Sequence, residues 1–370
     1  MYRMPDYSRL LASPNDRPWV HDAVRRIEAD FNRSADTHLL RVELPAIPGI
    51  ALYLKDESTH PTGSLKHRLA RSLFLYGLCN GWIGPRTTII ESSSGSTAVS
   101  EAYLARLLGL AFIAVVPAST SPEKLESIRF YGGTCHLVES ATDARAASMQ
   151  LAGNLGGHYM DQFTYAERAT DWRGNNSIAE SIFRQMCLEP WPEPAWIVCG
   201  AGTGGTSATI GRYIRYRGHA TQICLADPQG SAFNCHLKDR SIRSVHDYSS
   251  VVEGIGRPQV EASFEPELID RCETVSDAQS IAAARTLSEW IRRQCGGSTG
   301  TNFWAVARVV RDMRAHGQKG AVVSLLCDSG ERYRDTYFND AWIAQRGFNI
   351  AAPQELIRNF LEHGEFPTDA

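Results

Sequence analysis

The stretch PTGSLKHR, residues 61–68, places a glycine turn and one lysine, Lys66, at the start of an apolar helix. Residues 50–55 before it (IALYLK) predict a short strand, and apolar residues recur near helical spacing over 65–76. A lysine in the first turn of a helix is unfavourable against the helix dipole, so a purely structural role is less natural. The same field and partial burial favour the neutral, nucleophilic amine. The stretch therefore predicts a reactive lysine, against the alternative of a surface lysine in a turn.

Length and composition indicate an ordinary globular protein of two domains. The chain has 370 residues, of which 43% are hydrophobic and 21% charged, and its net charge is −3. This balance gives no reason to expect a nucleic acid or a membrane as partner. The longest apolar stretch, residues 107–116, is too short to span a bilayer. Residues 1–6 lack the apolar core of a signal peptide, so we expect a cytoplasmic protein.

The nine cysteines predict neither a disulfide framework nor a metal site. Their number is odd, and they are scattered without C-x-x-C pairs or metal-ligand spacing with histidine. Such usage is typical of the reducing cytoplasm.

Strand-like and helix-like stretches alternate along the chain, which predicts α/β layers around mostly parallel sheets. The predicted strands after the lysine are residues 87–91, 110–117, 195–199, 221–228 and 321–326, and residues 132–138 predict a turn followed by a strand. Residues 228–260 are polar with weak periodicity, and we expect a long loop region there.

A glycine-rich turn, GAGTGGT at residues 200–206, follows a predicted strand and opens a predicted helix. Backbone N–H groups at such a turn form an anion site suited to phosphate, and Thr203 and Thr206 add hydroxyl donors. A structural turn without a ligand is the alternative.

The same glycines also satisfy the dinucleotide pattern G-x-G-x-x-G, with Asp227 at a strand end a little over twenty residues on. This pattern favours a rival interpretation, a nicotinamide-dependent oxidoreductase, but it leaves Lys66 and the serines of residues 93–97 unexplained. A P-loop is excluded because no Gly-Lys-Ser/Thr follows the glycines.

Four motifs in order resemble the fold type II pyridoxal-phosphate enzymes, closest to the cysteine synthase and cystathionine β-synthase group. They are PTGSLK (61–66), SSGST (93–97), GTGGT (202–206) and EGIG (253–256), and the likeness covers roughly residues 35–340. Within that group, STHPTGSLKHR at residues 58–68 looks most like the bacterial L-cysteine desulfhydrase branch.

The resemblance assigns roles to residues in three of these motifs and to two residues outside them. Lys66 would join the aldehyde of pyridoxal 5'-phosphate, and Ser298 would lie against its pyridine nitrogen. The residues that would cradle the phosphate are Gly202, Thr203, Gly204, Gly205 and Thr206. The residues that would grip the substrate carboxylate are Ser93, Ser94, Gly95, Thr97 and Gln162.

Two positions depart from the family pattern. Ser96 replaces the usual asparagine that hydrogen-bonds the cofactor's phenolic oxygen, and a serine reaches less far. His67 replaces the usual aspartate after the lysine, where a structural role is favoured over a catalytic one.

The resemblance also implies the architecture. We expect two domains, each with a central, mostly parallel sheet flanked by helices, and a homodimer. Residues 1–55 and 168–345 would form the larger, cofactor-binding domain, residues 56–167 the smaller, substrate-loop domain, and residues 346–370 a C-terminal extension.

The chemistry expected is β-elimination. A neutral serine at the pyridine nitrogen cannot hold a proton there as a carboxylate would, so prompt loss of a β-leaving group is favoured over transamination or decarboxylation. The predicted reaction converts L-cysteine to sulfide, pyruvate and ammonia through an aminoacrylate. Alternatives are β-replacement of the cysteine synthase or cystathionine β-synthase type, the nicotinamide-dependent oxidoreductase, and an inactive homologue that only binds a ligand.

Overall fold

The computed structural model describes residues 16–368, and these divide into two compact units. The first unit contains the described residues up to Asp36 and Lys66–Thr170, and the second contains Thr37–Leu65 and the described residues from Asp171 onward. Residues 1–6, on which the signal-peptide prediction rests, lie outside the described part.

The first unit is built on a parallel sheet of four strands in the order β5-β4-β3-β6. Its strands are Ile89–Glu91 (β3), Phe112–Pro117 (β4), Thr134–Val138 (β5) and His158–Tyr159 (β6). Its helices are Arg17–Phe31 (α1), Lys66–Cys79 (α2), Ser96–Leu108 (α3), Pro122–Phe130 (α4), Ala144–Leu155 (α5) and Gln162–Ala169 (α6). Apart from Glu91 at the end of β3, the central strands β3 and β4 are apolar, and most of their residues are buried, as expected for a sheet covered on both faces.

The helix α1 packs within the first unit, which differs from the predicted domain division. Its Ile27 is buried in the same core as Phe74 of α2. The guanidinium of Arg71 donates to both carboxylate oxygens of Glu28 at 2.9 Å, and these links fix α1 on α2. The predicted boundary at residue 55 therefore does not describe how α1 packs, because the chain leaves this unit after Asp36 and returns at Lys66. Which unit serves the cofactor and which the substrate stays a prediction.

The second unit is built on six strands in the order β1-β2-β10-β7-β8-β9, antiparallel only between β1 and β2. Its strands are His38–Val42 (β1), Ile50–Asp56 (β2), Pro194–Cys199 (β7), Gln222–Pro228 (β8), Arg271–Val275 (β9) and Gly320–Leu326 (β10). Its helices are Ile178–Met186 (α7), Gly205–Arg217 (α8), Ala232–Lys238 (α9), Asp277–Ile291 (α10), Gly297–Ala315 (α11), Asp340–Gln345 (α12) and Ala351–His363 (α13). The predicted α/β class, with two mostly parallel sheets flanked by helices, is confirmed.

The predicted C-terminal extension is part of the core of the second unit. Phe360 of α13 is completely buried, and the ring of Phe366 lies edge-on to Trp304 with 5.2 Å between centroids. Residues 346–368 therefore pack on the unit, while residues 369–370 lie outside the described part.

The predicted loop region 228–260 contains one helix, α9. It begins where the hydroxyl of Ser231 accepts the backbone N–H of Phe233. The ring of Phe233 is tilted against that of Phe264, with 4.4 Å between the ring centroids. The helix is two turns long, too short for its apolar periodicity to be seen in the sequence. Within residues 16–368, no helix has the length and apolar character needed to cross a membrane.

Candidate functional site

Lys66 is the first residue of α2 and follows a turn that two backbone hydrogen bonds fix. The turn closes with the N–H of Gly63 donating to the carbonyl of His60 at 2.8 Å, and Gly63 has φ +72°. The next anchor is the N–H of Leu65, which donates to the carbonyl of Cys327 at 2.9 Å. Lys66 itself is half-buried. The backbone that carries the lysine is thus fixed immediately before the helix begins.

His67 is a packing residue. Its ring is 3% exposed and lies edge-on to Tyr103, with 5.3 Å between the ring centroids. The hydroxyl of Tyr103 donates to the carboxylate of Asp30 at 2.9 Å. These contacts favour the predicted structural role over a catalytic one.

The serine loop, residues 93–97, joins β3 to the first turn of α3. Ser93, Ser94 and Ser96 are half-buried, and the hydroxyl of Ser93 accepts the N–H of Gly95 at 3.3 Å. Gly95 is the N-cap of α3 and offers no side-chain acceptor to the first helical N–H groups. Such N–H groups, with the helix dipole behind them, suit a carboxylate.

Thr97 and Gln162, two of the residues predicted to hold the substrate carboxylate, are in contact. The hydroxyl of Thr97 donates to Oε1 of Gln162 at 2.8 Å, and both side chains are at least 96% buried. The Oε1 acceptor is thereby used, so the Nε2 amide group is the donor that Gln162 can direct to a ligand. Gln162 is the first residue of α6.

The glycine loop, residues 200–206, joins β7 to the first turn of α8, and at two of its glycines a side chain would collide with backbone atoms. A Cβ atom on Gly202 would lie 2.2 Å from the carbonyl oxygen of Gly254, and one on Gly204 would lie 2.5 Å from Cα of Phe264. Gly204 also has φ +90° and is the N-cap of α8, without a side-chain cap. The backbone is therefore held flat against residues 254–264.

The donors of this loop are suited to an oxyanion. The hydroxyl oxygen of Thr203 accepts the N–H of Gly205 at 3.2 Å, which leaves its own O–H as a donor. Gly205 and Thr206 open α8, where the first N–H groups have no intrahelical acceptor. Residues 202–206 thus group backbone and hydroxyl donors in one loop, of which the N–H of Gly205 is bound to Thr203.

Ser298 lies in the first turn of α11 and is 6% exposed. The start of α11 is tied to the end of β10, because the hydroxyl of Thr299 accepts the N–H of Cys327 at 3.0 Å. Since β7 and β10 are neighbouring parallel strands, the glycine loop and the start of α11 lie at the same edge of the sheet.

The comparisons with known proteins decide the family. A family model described as pyridoxal-phosphate dependent enzyme matches residues 33–328. The chain belongs to this family. A Mycobacterium tuberculosis protein named L-cysteine desulfhydrase Cds1 is 58% identical over 348 residues, which cover 93% of this chain and 95% of that protein. A putative cysteine synthase of Sinorhizobium fredii is 29% identical over 323 residues, covering 84% of this chain and 90% of that protein.

Two solved structures with a similar fold agree with the assignment of the chain to this family. The O-acetylserine dependent cystathionine β-synthase from Helicobacter pylori has a TM-score of 0.71 and 26% identity, covering 84% of this chain and 97% of that chain. An O-ureido-L-serine synthase has a TM-score of 0.73 at 24% identity, covering 86% of this chain and 98% of that chain, and shares the fold. The predicted membership of the fold type II group is confirmed.

The residues of the pyridoxal-phosphate enzyme fit the cofactor. A phosphate needs several N–H and O–H donors in a small concave loop, and the glycine loop supplies them where a Cβ atom would collide with Gly254 or Phe264. Ser298 is a neutral, buried hydroxyl that can pair with a pyridine nitrogen. The roles of Lys66, Ser96 and the other predicted site residues stay predictions.

The position of Asp227 contradicts the interpretation of residues 200–205 as a dinucleotide-binding motif. Its carboxylate is fully buried, and Oδ2 accepts the backbone N–H of Asn234, near the start of α9, at 2.9 Å. Burial raises the pKa of Asp227 to about 7. A buried side chain engaged with a helix of its own unit does not reach a ribose. The interpretation as a nicotinamide-dependent oxidoreductase is therefore rejected in favour of the pyridoxal-phosphate dependent family.

Glu91 is a residue that the sequence analysis treated only as the end of a strand. Its Oε1 accepts the backbone N–H of Ser92 at 2.7 Å, and its Oε2 accepts the backbone N–H of Gln162 at 3.1 Å. Burial is the largest cause that raises the pKa of Glu91 to about 7. The signal in the sequence was a charged residue directly after a buried apolar strand and directly before the serines.

Proposed function

We propose that this pyridoxal-phosphate enzyme is an L-cysteine desulfhydrase, a carbon–sulfur lyase that converts L-cysteine and water to sulfide, pyruvate and ammonia. The observation that carries the proposal is the 58% identity, over nearly the full length of both chains, to a protein named L-cysteine desulfhydrase. The relatives named as synthases are far more distant, and the putative cysteine synthase of Sinorhizobium fredii is 29% identical.

The cofactor would be held through its phosphate, its ring nitrogen, its aldehyde carbon and its phenolic oxygen. The glycine-loop residues 202–206 would donate to its phosphate, and Ser298 would pair with its pyridine nitrogen. Lys66 would hold its aldehyde carbon through Nζ, and Ser96 would stand near its phenolic oxygen. When bound, pyridoxal phosphate supplies a conjugated system that accepts the electron pair left on Cα.

The substrate would be oriented through its carboxylate. The N–H groups at the start of α3, the serine hydroxyls and the Nε2 group of Gln162 are the donors that would hold it. Because the carboxylate is fixed on one side, the Cα–H bond takes a single direction, which raises the effective concentration of the base. This arrangement positions the substrate and excludes water from the buried side formed by Thr97 and Gln162.

The proton transfer would be carried out by Lys66. Its Nζ amine, once exchanged for the substrate amine, would take the proton from Cα. The Cβ–S bond then breaks with its electron pair on sulfur, which leaves as sulfide with a proton. Water completes the release of ammonia and pyruvate. The neutral hydroxyl of Ser298 places no charge beside the ring nitrogen, which favours fast loss of the sulfur group over transamination.

Assembly and location belong to the same proposal. We propose a homodimer, as the family resemblance implies, and a cytoplasmic enzyme, for which the free cysteines are suited. Light scattering of the purified protein would test the dimer.

The experiment is a product assay on the cofactor-loaded protein. Given L-cysteine alone, it should release sulfide and pyruvate in equal amounts. Lys66→Ala should lower this rate by at least about 10²-fold because it removes the base, while the exposed Lys238→Ala should not change it. Rapid formation of L-cysteine from O-acetylserine plus sulfide, with little pyruvate from L-cysteine, would instead identify a β-replacement enzyme.

A further inference from the structure

Glu91 connects the two parts of the predicted substrate-carboxylate site. It ends β3, and Ser92 alone separates it from the serine loop. Its Oε1 accepts the backbone N–H of Ser92 at 2.7 Å and the Ser92 hydroxyl at 3.2 Å. Its Oε2 accepts the N–H of Gln162 at 3.1 Å. One side chain thus sets both the entry to the serine loop and the first residue of α6.

The geometry requires a carboxylate at this position. Two backbone N–H donors, from Ser92 and Gln162, approach the two oxygens of Glu91 separately. An ionised carboxylate accepts at both oxygens, whereas an amide or a protonated carboxyl accepts well at only one. Since Thr97 donates to Oε1 of Gln162, displacement of Gln162 would also disturb the first turn of α3.

We propose that Glu91 is a positioning residue that holds the serine loop and Gln162 together for the carboxylate of an amino-acid substrate. This inference rests on the proposed function in one respect, because it takes those residues as the carboxylate site. Glu91 itself is completely buried and acts through its neighbours.

A second buried carboxyl, Glu101 of α3, offers a matched comparison. It is completely buried, and within residues 16–368 neither of its carboxyl oxygens has a hydrogen-bond partner. Burial, with the charge of Glu91 as a smaller cause, raises its pKa well above the usual range. Because Glu91 accepts two backbone N–H groups and Glu101 accepts none, Glu91 is the member of the pair whose surroundings favour the charged form.

The proposal implies a pH dependence of substrate affinity. The groups that face Glu91 are Glu101 from α3, Tyr159 from β6, Asp161 before α6 and, through Asp161, Arg145 of α5. The pKa of Glu91 is raised to about 7, so the carboxylate takes up a proton as the pH falls through this value. The protonated carboxyl then carries an O–H on one of its oxygens, which can no longer accept a backbone N–H well. The affinity of the protein for the carboxylate of an amino acid should therefore fall below about pH 7.

The test compares L-alanine with ethylamine, which is the same molecule without its carboxylate. Their dissociation constants are measured on the cofactor-loaded protein from the change in its visible absorbance, between about pH 6 and pH 8.5. Glu91→Gln should raise the dissociation constant of L-alanine about ten- to hundredfold and change that of ethylamine by less than about twofold, because only the carboxylate site is disturbed. Glu101→Gln should leave both constants within about twofold, since Glu101 accepts no hydrogen bond.

Kinetics and pH supply independent readouts. In Glu91→Gln the KM for L-cysteine should rise more than kcat falls, and the loss of L-alanine affinity below pH 7 should disappear. Wild type and Glu101→Gln should keep that pH step, and the ionisation of the ligand amine is common to all three proteins. If Glu91→Gln does not fold, Glu91→Asp keeps the charge and should still weaken L-alanine at least about tenfold relative to ethylamine.

Equal loss for L-alanine and ethylamine, or no loss for either, would overturn the proposal. So would a Glu101→Gln variant that behaves like Glu91→Gln, because the effect would then belong to general packing. These outcomes are separate from the lyase assignment. A wild-type protein that binds L-alanine but releases no sulfide would refute the proposed reaction and leave the role of Glu91 to be decided by the titrations.

Discussion

Two glycines at opposite ends of α8 allow the packing of the glycine loop to be measured. Gly204 precedes the helix with φ +90°, and Gly218 follows it with φ +71°. An alanine at either position has an unfavourable left-handed backbone, which costs roughly 1–2 kcal/mol. Only at Gly204 would the new Cβ atom collide, lying 2.5 Å from Cα of Phe264 and 2.7 Å from the carbonyl oxygen of Ser263. At Gly218 nothing lies within 4 Å.

The difference between the two variants isolates the close packing. Backbone atoms cannot rotate away as side chains can, so Gly204→Ala should cost about 1–3 kcal/mol more than Gly218→Ala. The shift of the loop should also raise the dissociation constant of pyridoxal phosphate about ten- to hundredfold, which corresponds to the loss of one or two hydrogen bonds to the phosphate. Gly218→Ala should bind the cofactor as wild type does.

The assay has two parts, both on the full chain. Urea unfolding of the cofactor-free protein, followed by tryptophan fluorescence, gives the midpoint for each variant. Titration with pyridoxal phosphate then gives the dissociation constant. If Gly204→Ala matched Gly218→Ala in both the urea midpoint and the cofactor affinity, the reasoning that the loop is held flat against Phe264 would be refuted.

Three further predictions concern buried polar groups. Thr97→Val removes the hydrogen bond to Gln162 and should raise the KM for L-cysteine about fivefold, whereas Thr97→Ser should keep it; equal KM values would contradict this role. Arg293→Ala removes the 2.5 Å ion pair of the fully buried Asp56 carboxylate and should destabilise the protein by roughly 2–3 kcal/mol. This cost is lower than for a fully buried pair because the Arg293 side chain is 39% exposed. An unchanged urea midpoint would show that water replaces the guanidinium. The pKa of Asp227 is raised to about 7, so this carboxyl contributes stability at low pH that is lost as the pH rises from about 4 to 7, by at most about 1.4 kcal/mol per pH unit. Asp227→Asn should flatten this loss in unfolding measured across the window, and an unchanged slope would exclude Asp227 as its source.

The central strands could be predicted from the sequence because parallel strands covered on both faces are continuous apolar runs. The predicted residues 221–228 and 321–326 correspond to Gln222–Pro228 and Gly320–Leu326. Short or peripheral elements carry a weaker signal. The strand β6 has two residues, and the edge strand His38–Val42 has only Val42 buried, so neither shows the pattern of a core strand.

The packing of α1 could not be predicted because it depends on contacts between residues far apart in the chain. Nothing local to Glu28 indicates that its partner is Arg71, and nothing local to Asp30 indicates that Tyr103 donates to it. The same holds for Glu91. Its motif neighbours could be recognised from order and spacing, but its importance comes from the N–H of Gln162, 71 residues away.

The N-caps of the three helices that carry the predicted phosphate, ring and carboxylate contacts are all glycine. Among the helices of residues 16–368 with an assigned N-cap, glycine occupies that position at α3, α8 and α11. These are the helices whose first turns carry the serine loop, the glycine loop and Ser298. In contrast, α7, α9 and α10 begin with serines that accept a helical N–H.

A serine, aspartate or asparagine cap stabilises a helix by about 1 kcal/mol relative to alanine, and it does so by occupying a first-turn N–H. Glycine brings no side-chain acceptor, so a first-turn N–H that meets no other acceptor can bind an anion outside the helix. At α8 the N–H of Gly205 is an exception, because it donates to the hydroxyl of Thr203. The three glycine caps therefore coincide with the positions that we predict to hold a phosphate, a ring nitrogen and a carboxylate. Lys66, which opens α2, is the opposite case. The helix dipole that favours the predicted carboxylate at α3 and the predicted phosphate at α8 disfavours an ammonium at the start of α2, and the proposed chemistry requires a neutral amine there.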